Sequence, residues 1–299
     1  MKTVGKRMQQ SLSDRIFYII ATVIAVAALV IVLYPMYFIV IASFSNSNMV
    51  NQGLVSLLPK DINFYGYRKI LERTDLWVGY KNTIIYTVCG TLLNLAVTLP
   101  AAYVLAQSRF RARRVVMPLF VITMYFGGGM VPTYMLVKTL HLTNSPLIMI
   151  IMGAVSVYNV IITRTFFENS IPAELQEAAE LDGCSHFRYF LSIVLPLSKA
   201  VISVITLYYA VGHWNSYFNE MMYLSTNTKF PLQLVLREIL VNMGTAGMTL
   251  DVTKQLEMQE TKYLLQYSSI IVGSVPVMLL YPFVQKYFVK GIMVGAIKG

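Results

Sequence analysis

The chain has 299 residues, of which 56% are hydrophobic and 13% charged, and its formal net charge is +10. Ordinary soluble domains carry about 25% charged residues, so this composition cannot cover a water-facing surface and excludes a soluble globular domain. The positive charge does not signal nucleic acid: it gathers at the flanks of apolar runs, and no base-reading motif accompanies it.

Six uncharged runs follow one another at Ile16–Ile41, Asn82–Gln107, Val115–Val137, Leu142–Thr163, Ala200–Asn219 and Tyr263–Gln285. Each holds about 20 residues or more and, at about 1.5 Å per residue, crosses a hydrocarbon layer of about 30 Å. The predicted class is an all-α polytopic membrane protein with six transmembrane helices. Lys2, Lys6, Arg7 and Arg15 precede the first run, Arg109, Arg111, Arg113 and Arg114 separate the second from the third, and Lys286, Lys290 and Lys298 follow the last. Basic flanks stay in the cytoplasm, so both termini are expected there, in a multi-pass protein of the cell membrane. Residues 1–15 form a cytoplasmic N-terminal segment, 16–287 the membrane domain and 288–299 a cytoplasmic tail.

In the first run, 26 apolar residues exceed the core of a signal peptide, and Tyr34-Pro35 offers no convincing cleavage pattern, so the helix is expected to be retained. Residues 45–78 then form an external segment with Phe64, Tyr65 and Tyr67. The second run carries Asn82, Asn94, Thr98 and Pro100. An Asn in hydrocarbon must bond to a neighbouring helix, which points Asn94 inward, to pack or to line a path. Pro100 lacks an N–H and is expected to kink or loosen its helix. In the third run Gly127-Gly128-Gly129 precedes Val131-Pro132, a sequence that predicts a break, and broken backbone is tolerated in a membrane only beside protein or a wet cavity.

Between the fourth and fifth runs lies a polar insert, 165–199. Pro172 suits a first helical turn and Ala173–Leu181 is strongly helix-forming. Glu168, Glu174, Glu177, Glu180 and Asp182 supply five negative charges, with no Lys or Arg in 165–187. Gly183 supplies a bend, and a second amphipathic stretch, Phe187–Leu195, runs to Pro196. The fifth run sets His213, Trp214 and Asn215 among Tyr208, Tyr209 and Tyr217. Aromatic faces stack on sugar rings and Asn or His meets hydroxyls; an interfacial aromatic belt accounts for the same residues. Gly273, Pro276 and Pro282 permit bending in the sixth run.

No catalytic constellation or metal site emerges, since His141, His186 and His213 fall in separate segments and no Cys/His/Asp spacing matches a ligand set. Cys89 and Cys184 are predicted not to pair. The chain has no ATP-binding loop, and the spans carry no Asp or Glu, which disfavours a proton-driven carrier. An energy source is expected in a partner.

Glu177-Ala-Ala-Glu-Leu-Asp-Gly183, Phe187, Phe190 and Ile193-Val-Leu-Pro-Leu-Ser-Lys199 resemble the inner-membrane permease subunits of ABC importers, in the carbohydrate-uptake branch that includes the second maltose permease, and most closely those handling oligosaccharides and polysaccharide fragments. The resemblance extends over essentially the whole chain and implies the type I importer permease fold. It further implies a coupling helix at about Pro172–Leu181 that docks on an ATP-hydrolysing subunit, with Glu177 pairing with an ATPase arginine, Ala178 and Ala179 permitting close docking, and Asp182 and Gly183 at the bend. The implied partners are a second homologous permease, a dimer of ATP-binding subunits that hold ATP and Mg, an extracytoplasmic solute-binding protein and a di- or oligosaccharide. No cofactor is expected in this chain, and it is not catalytic by itself. Asn94, Tyr208, Trp214 and Asn215 are the candidates for the substrate path. A permease for another solute and a noncatalytic membrane scaffold remain alternatives.

Overall fold

The computed structural model describes residues 11–245 and 263–279, and the regular elements among them are helices. They fall into two compact units, 11–70 with 243–245 and 263–271, and 71–242 with 272–279.

In the first unit α1 (Leu12–Phe44) begins at a capping box in which the Ser11 N–H donates to Asp14. It runs through Pro35 for 33 residues. Most of its length is apolar on every side and exposed, the pattern of a helix surrounded by lipid or by another subunit. Only its C-terminal end is packed: Ile41 and Ala42 join Val50 and Val55, with Phe38 and Tyr267 against them. There the Ser45 hydroxyl donates to the Ile41 carbonyl (2.6 Å), and Phe44 stacks on Tyr67. The short helices α2 (Ser47–Asn51) and α3 (Tyr65–Leu71) follow. Gly66 of α3 lies directly on the last described helix, Tyr263–Leu279. A Cβ there would lie 2.6 Å from Ser268 Oγ and 2.9 Å from the Leu264 carbonyl oxygen.

The second unit is built on α4 (Thr74–Ala106). Its buried stripe contains Gly90, Asn94, Thr98 and Ala102, four residues apart and mostly small, which lets neighbouring helices approach closely. Pro100 sits inside a helix that is continuous to Ala106. The third run is broken where the glycines predict: α5 (Arg113–Tyr125) and α6 (Met130–Thr139) meet at 108° across 126–129. The fourth run is broken as well, into α7 (Pro146–Ile151) and α8 (Val157–Ser170). Ser156 caps α8 by accepting from the Asn159 N–H, and Gly153 in the gap has φ +74°. Asn144 ties the segment before α7 to residues 223–229: its N–H donates to the Tyr223 carbonyl (2.6 Å), and its own carbonyl accepts from Lys229 Nζ (2.6 Å).

The polar insert forms α9 (Ala173–Leu181), then α10 (His186–Tyr189), a π-helical turn Phe190–Val194 and α11 (Leu195–Leu197). The π turn stands just before Pro196, whose missing N–H and ring disrupt the regular ladder. A bend of 83° leads into α12 (Lys199–Asn215). The unit continues with α13 (Phe218–Tyr223) and, through residue 242, with α14 (Leu232–Thr245). Two described helices, α1 and α4, are long and apolar enough to cross a membrane alone, and the two bent pairs bring the number to as many as four. Lys286, Lys290 and Lys298 and the stretch 246–262 lie outside the described residues.

Gly66→Leu is expected to lower the melting temperature of the detergent-solubilised protein by the equivalent of about 1–3 kcal/mol, because the Leu264 carbonyl cannot step aside. Gly128→Ala, whose methyl meets open space, is expected to stay within about 0.5 kcal/mol of wild type.

Candidate functional site

Where α4 crosses α12 and the gap between α7 and α8, every buried polar group of one short network finds a partner. Asn94 is fully buried. Its Nδ2 donates to the Gly153 carbonyl at 2.8 Å, so Oδ1 faces His213 Nε2, also at 2.8 Å. An amide oxygen only accepts, which assigns the proton to Nε2 of His213 and leaves Nδ1 for other partners. Gly90 makes room for that ring, since a Cβ at position 90 would overlap it. Beside it the Tyr209 hydroxyl accepts from the Ser156 N–H (3.2 Å) and shares a hydrogen bond with Thr98 Oγ1 (2.7 Å).

This network borders a cavity of about 880 Å³ lined by Met149, Met152, Tyr158, Asn159, Tyr208, Tyr209, His213, Asn215, Ser216, Asn219 and Glu220, among others. Its walls combine aromatic and thioether surface with amides and hydroxyls, the chemistry that holds a polyhydroxylated ring. Of the four path candidates, Tyr208 and Asn215 line the cavity. Asn94 sits behind the lining, bonded to His213. Trp214 is buried and turned elsewhere, with its Nε1–H donating to the Gly273 carbonyl at 3.1 Å. Among the described residues no group of three or more His, Cys, Asp or Glu could hold a metal ion.

At another place in the same unit α9 is held on one side and bare on the other. Ala179 is buried in a cluster with Tyr103, Tyr189, Phe190 and Val194. The C-terminal end of α9 is a Schellman turn: the Cys184 N–H donates to the Ala179 carbonyl and the Gly183 N–H to the Glu180 carbonyl, with Gly183 at φ +72°. No atom stands within 4 Å of a Cβ built on Gly183, so glycine is required there by backbone conformation and not by space. Glu177, Ala178 and Asp182 are exposed, with Leu181 at 90% and Phe187 at 72% exposure beside them.

The five acids of the insert divide into two groups. Glu180 accepts from Arg109 at 2.7–2.8 Å, and Glu168 lies between Arg164 (2.7 Å) and Arg113 (3.3 Å). Glu174, Glu177 and Asp182 form no side-chain hydrogen bond or ion pair among the described residues. The Arg109 guanidinium, helped by the Gln176 amide, holds the Glu180 carboxyl below the usual carboxylate range. Its contribution is present above the ordinary Glu pKa and lost as pH falls through the depressed value. The contact also sets the loop after α4 and the insert on one side of the chain. Reading the sequence in segments treats the Arg109–Arg114 cluster only as a topology signal and misses these pairs, because their partners stand 71 and 55 positions away.

Residues 76–294 match the family described as binding-protein-dependent transport system inner membrane component. The chain belongs to this family. Protein LplC of Bacillus subtilis (strain 168) is 34% identical over 269 residues, 90% of each chain. The polygalacturonan/rhamnogalacturonan transport system permease protein YtcP of the same organism is 36% identical over 273 residues, 91% of this chain and 94% of that one. A crystal structure of a bacterial ABC transporter involved in the import of the acidic polysaccharide alginate contains a chain that superimposes with a TM-score of 0.82 at 35% identity, covering 94% of this chain and 99% of that one. As a permease component, the chain is not an enzyme in its own right and works with a separate ATPase.

Arg109→Glu and Glu180→Arg are each expected to raise hydrogen exchange across 173–183 roughly two- to fivefold at neutral pH, the range of an exposed ion pair, and the double exchange to restore it. Acidification through the depressed Glu180 pKa should reproduce the single-variant behaviour once intrinsic exchange is corrected for.

Proposed function

We propose that this chain is one of two transmembrane subunits of an ATP-driven, binding-protein-dependent importer of a di- or oligosaccharide, and that α9 is its coupling helix. The observation that carries this reading is the two-sidedness of α9. One side is anchored through Ala179 and Glu180, while the other offers Leu181 with Glu174, Glu177 and Asp182, acids that form no ion pair among the described residues, and Phe187 of α10 is exposed as well. A surface of that kind suits a cleft with apolar walls and arginines at its rim, and Glu177 is the acid assigned to such an arginine. Ala178 permits close docking, and Asp182 and Gly183 set the direction of the chain beyond it.

In this reading six membrane passes are made by α1, α4, the α5–α6 pair, α7–α8, α10–α12 and the helix beginning at Tyr263. Both termini are cytoplasmic, on the side of the coupling loop 165–199, and the Arg109–Glu180 contact supports placing the loop after α4 on that same side. The second permease, the dimer of ATP-binding subunits carrying ATP and Mg, and the external solute-binding protein complete the assembly. The sugar path runs along the cavity, with Tyr208 as a stacking surface, Asn215 as a hydroxyl partner, and Asn94 and Trp214 holding the wall behind them. Carbohydrate as the substrate class is supported by the relatives, which include a polygalacturonan/rhamnogalacturonan permease and a component of an alginate importer. Closure of the ATPase dimer would shift α9 and turn the cavity from one side of the membrane to the other.

Gly183→Val forces a β-branched side chain into the left-handed region at about 1–2 kcal/mol, whereas Asn tolerates that conformation. With the assembled complex in proteoliposomes, Gly183→Val is expected to insert and assemble normally but to lose most of the ATPase stimulation given by sugar-loaded binding protein, and Gly183→Asn to keep it. Full stimulation in Gly183→Val would count against α9 as the coupling element. Stimulation by a non-sugar solute alone would redirect the substrate, and no stimulation by any solute would favour a scaffold.

A further inference from the structure

Glu220 has no place in the path described so far. It stands one position beyond the fifth uncharged run, is 5% exposed, and lines the cavity with Asn215, Ser216 and Asn219. Ser216 Oγ–H donates to Glu220 Oε2 at 2.9 Å. Among the described residues no cation pairs with Glu220, and the cavity lining contains neither Lys nor Arg. Withdrawing a carboxylate from water without a counter-charge costs several kcal/mol. The backbone N–H of Glu220 itself and the Ser216 hydroxyl are the donors it has within the chain, and they offset only part of that, since a hydrogen bond to a charged group contributes about 1.5–3 kcal/mol. No other side chain donates to the Glu220 carboxylate among the described residues, and Glu220 lines the cavity.

A donor that completes this carboxylate can come from a ligand in the cavity, since Glu220 lines it. A sugar hydroxyl donates to a carboxyl oxygen, and neighbouring hydroxyls of one ring can engage both oxygens, with the Asn215 and Asn219 amides on either side. A sugar carboxylate has no proton to give at neutral pH and brings a second negative charge into a space with no cation in its lining. Like charges placed together at a binding surface cost several kcal/mol. We propose that Glu220 is a specificity-determining residue of the cavity, accepting hydrogen bonds from sugar hydroxyls and keeping sugar carboxylates out of the positions next to it. The proposal rests on the cavity being a carbohydrate path. It follows that if the imported oligosaccharide is acidic, its carboxylates are met away from this wall, by the partner permease.

Galactotriose and trigalacturonate differ only in the oxidation of C6 and separate the two roles of Glu220. Their affinities for the complete detergent-solubilised complex, without the binding protein, are to be measured by titration calorimetry for wild type, Glu220→Gln and Glu220→Ala. Both variants are expected to weaken galactotriose and to move the galactotriose-to-trigalacturonate affinity ratio toward the acid by at least about fivefold. An unchanged ratio, whether both affinities stay or fall together, would assign Glu220 to packing and overturn the proposal while leaving the carbohydrate path standing. Binding of neither sugar to the wild-type complex would overturn the path itself and the role of Glu220 with it.

Discussion

An amide buried among membrane helices must have both of its ends satisfied, and the arrangement of the larger unit around Asn94 follows from that requirement. The break between α7 and α8 leaves backbone groups that the helices themselves cannot satisfy. Asn94 answers one of them, the Gly153 carbonyl, and the Tyr209 hydroxyl answers another, the Ser156 N–H. The other end of the Asn94 amide holds His213 in a single tautomer against Gly90. The cavity wall is thus fixed by three elements that meet at one side chain. A broken helix can persist there because α4 and α12 supply the partners it lacks.

The same helix, α4, links this wall to the coupling loop. Tyr103 packs on Phe190 with ring centroids 5.0 Å apart and shares a cluster with Ala179. Asn94 lies nine residues before it, roughly 14 Å along the helix at about 1.5 Å per residue. Arg109, just beyond the end of α4, grips Glu180. In the proposed mechanism a displacement of α9 therefore acts on α4 through packing and through charge, and α4 carries it to the wall that contains His213. Interlocked side chains transmit such a shift because cores are dense and resist gradual deformation.

Much of this was legible in the residues themselves. Run lengths and charge identify a polytopic helical membrane protein, Gly127–Gly129 marks a real break, and the residues from Glu177 to Lys199 carry the family. The break at Gly153 was harder to read, because one glycine and Ser156 in an apolar run do not interrupt hydrophobicity, and what sustains the gap is contributed by Asn94, 59 positions earlier. Pro100 was expected to kink or loosen its helix, and α4 continues past it to Ala106. Trp214 and Asn215 look equivalent in sequence, yet one turn of α12 directs the indole toward Gly273 and the amide toward the cavity. Glu220 escaped attention for the opposite reason: it lies just outside an uncharged run, where an acid looks solvated, and its burial is visible only in three dimensions.

Coupling of ATP hydrolysis to carbohydrate movement is tested most directly by following labelled oligosaccharide in proteoliposomes that contain this chain, its partner permease and the ATPase dimer, with the binding protein added outside. Uptake that requires ATP, requires sugar-loaded binding protein and proceeds against a concentration gradient is the predicted result. Sugar equilibration that is indifferent to ATP, or ATP hydrolysis stimulated by the loaded binding protein without any uptake, would contradict it.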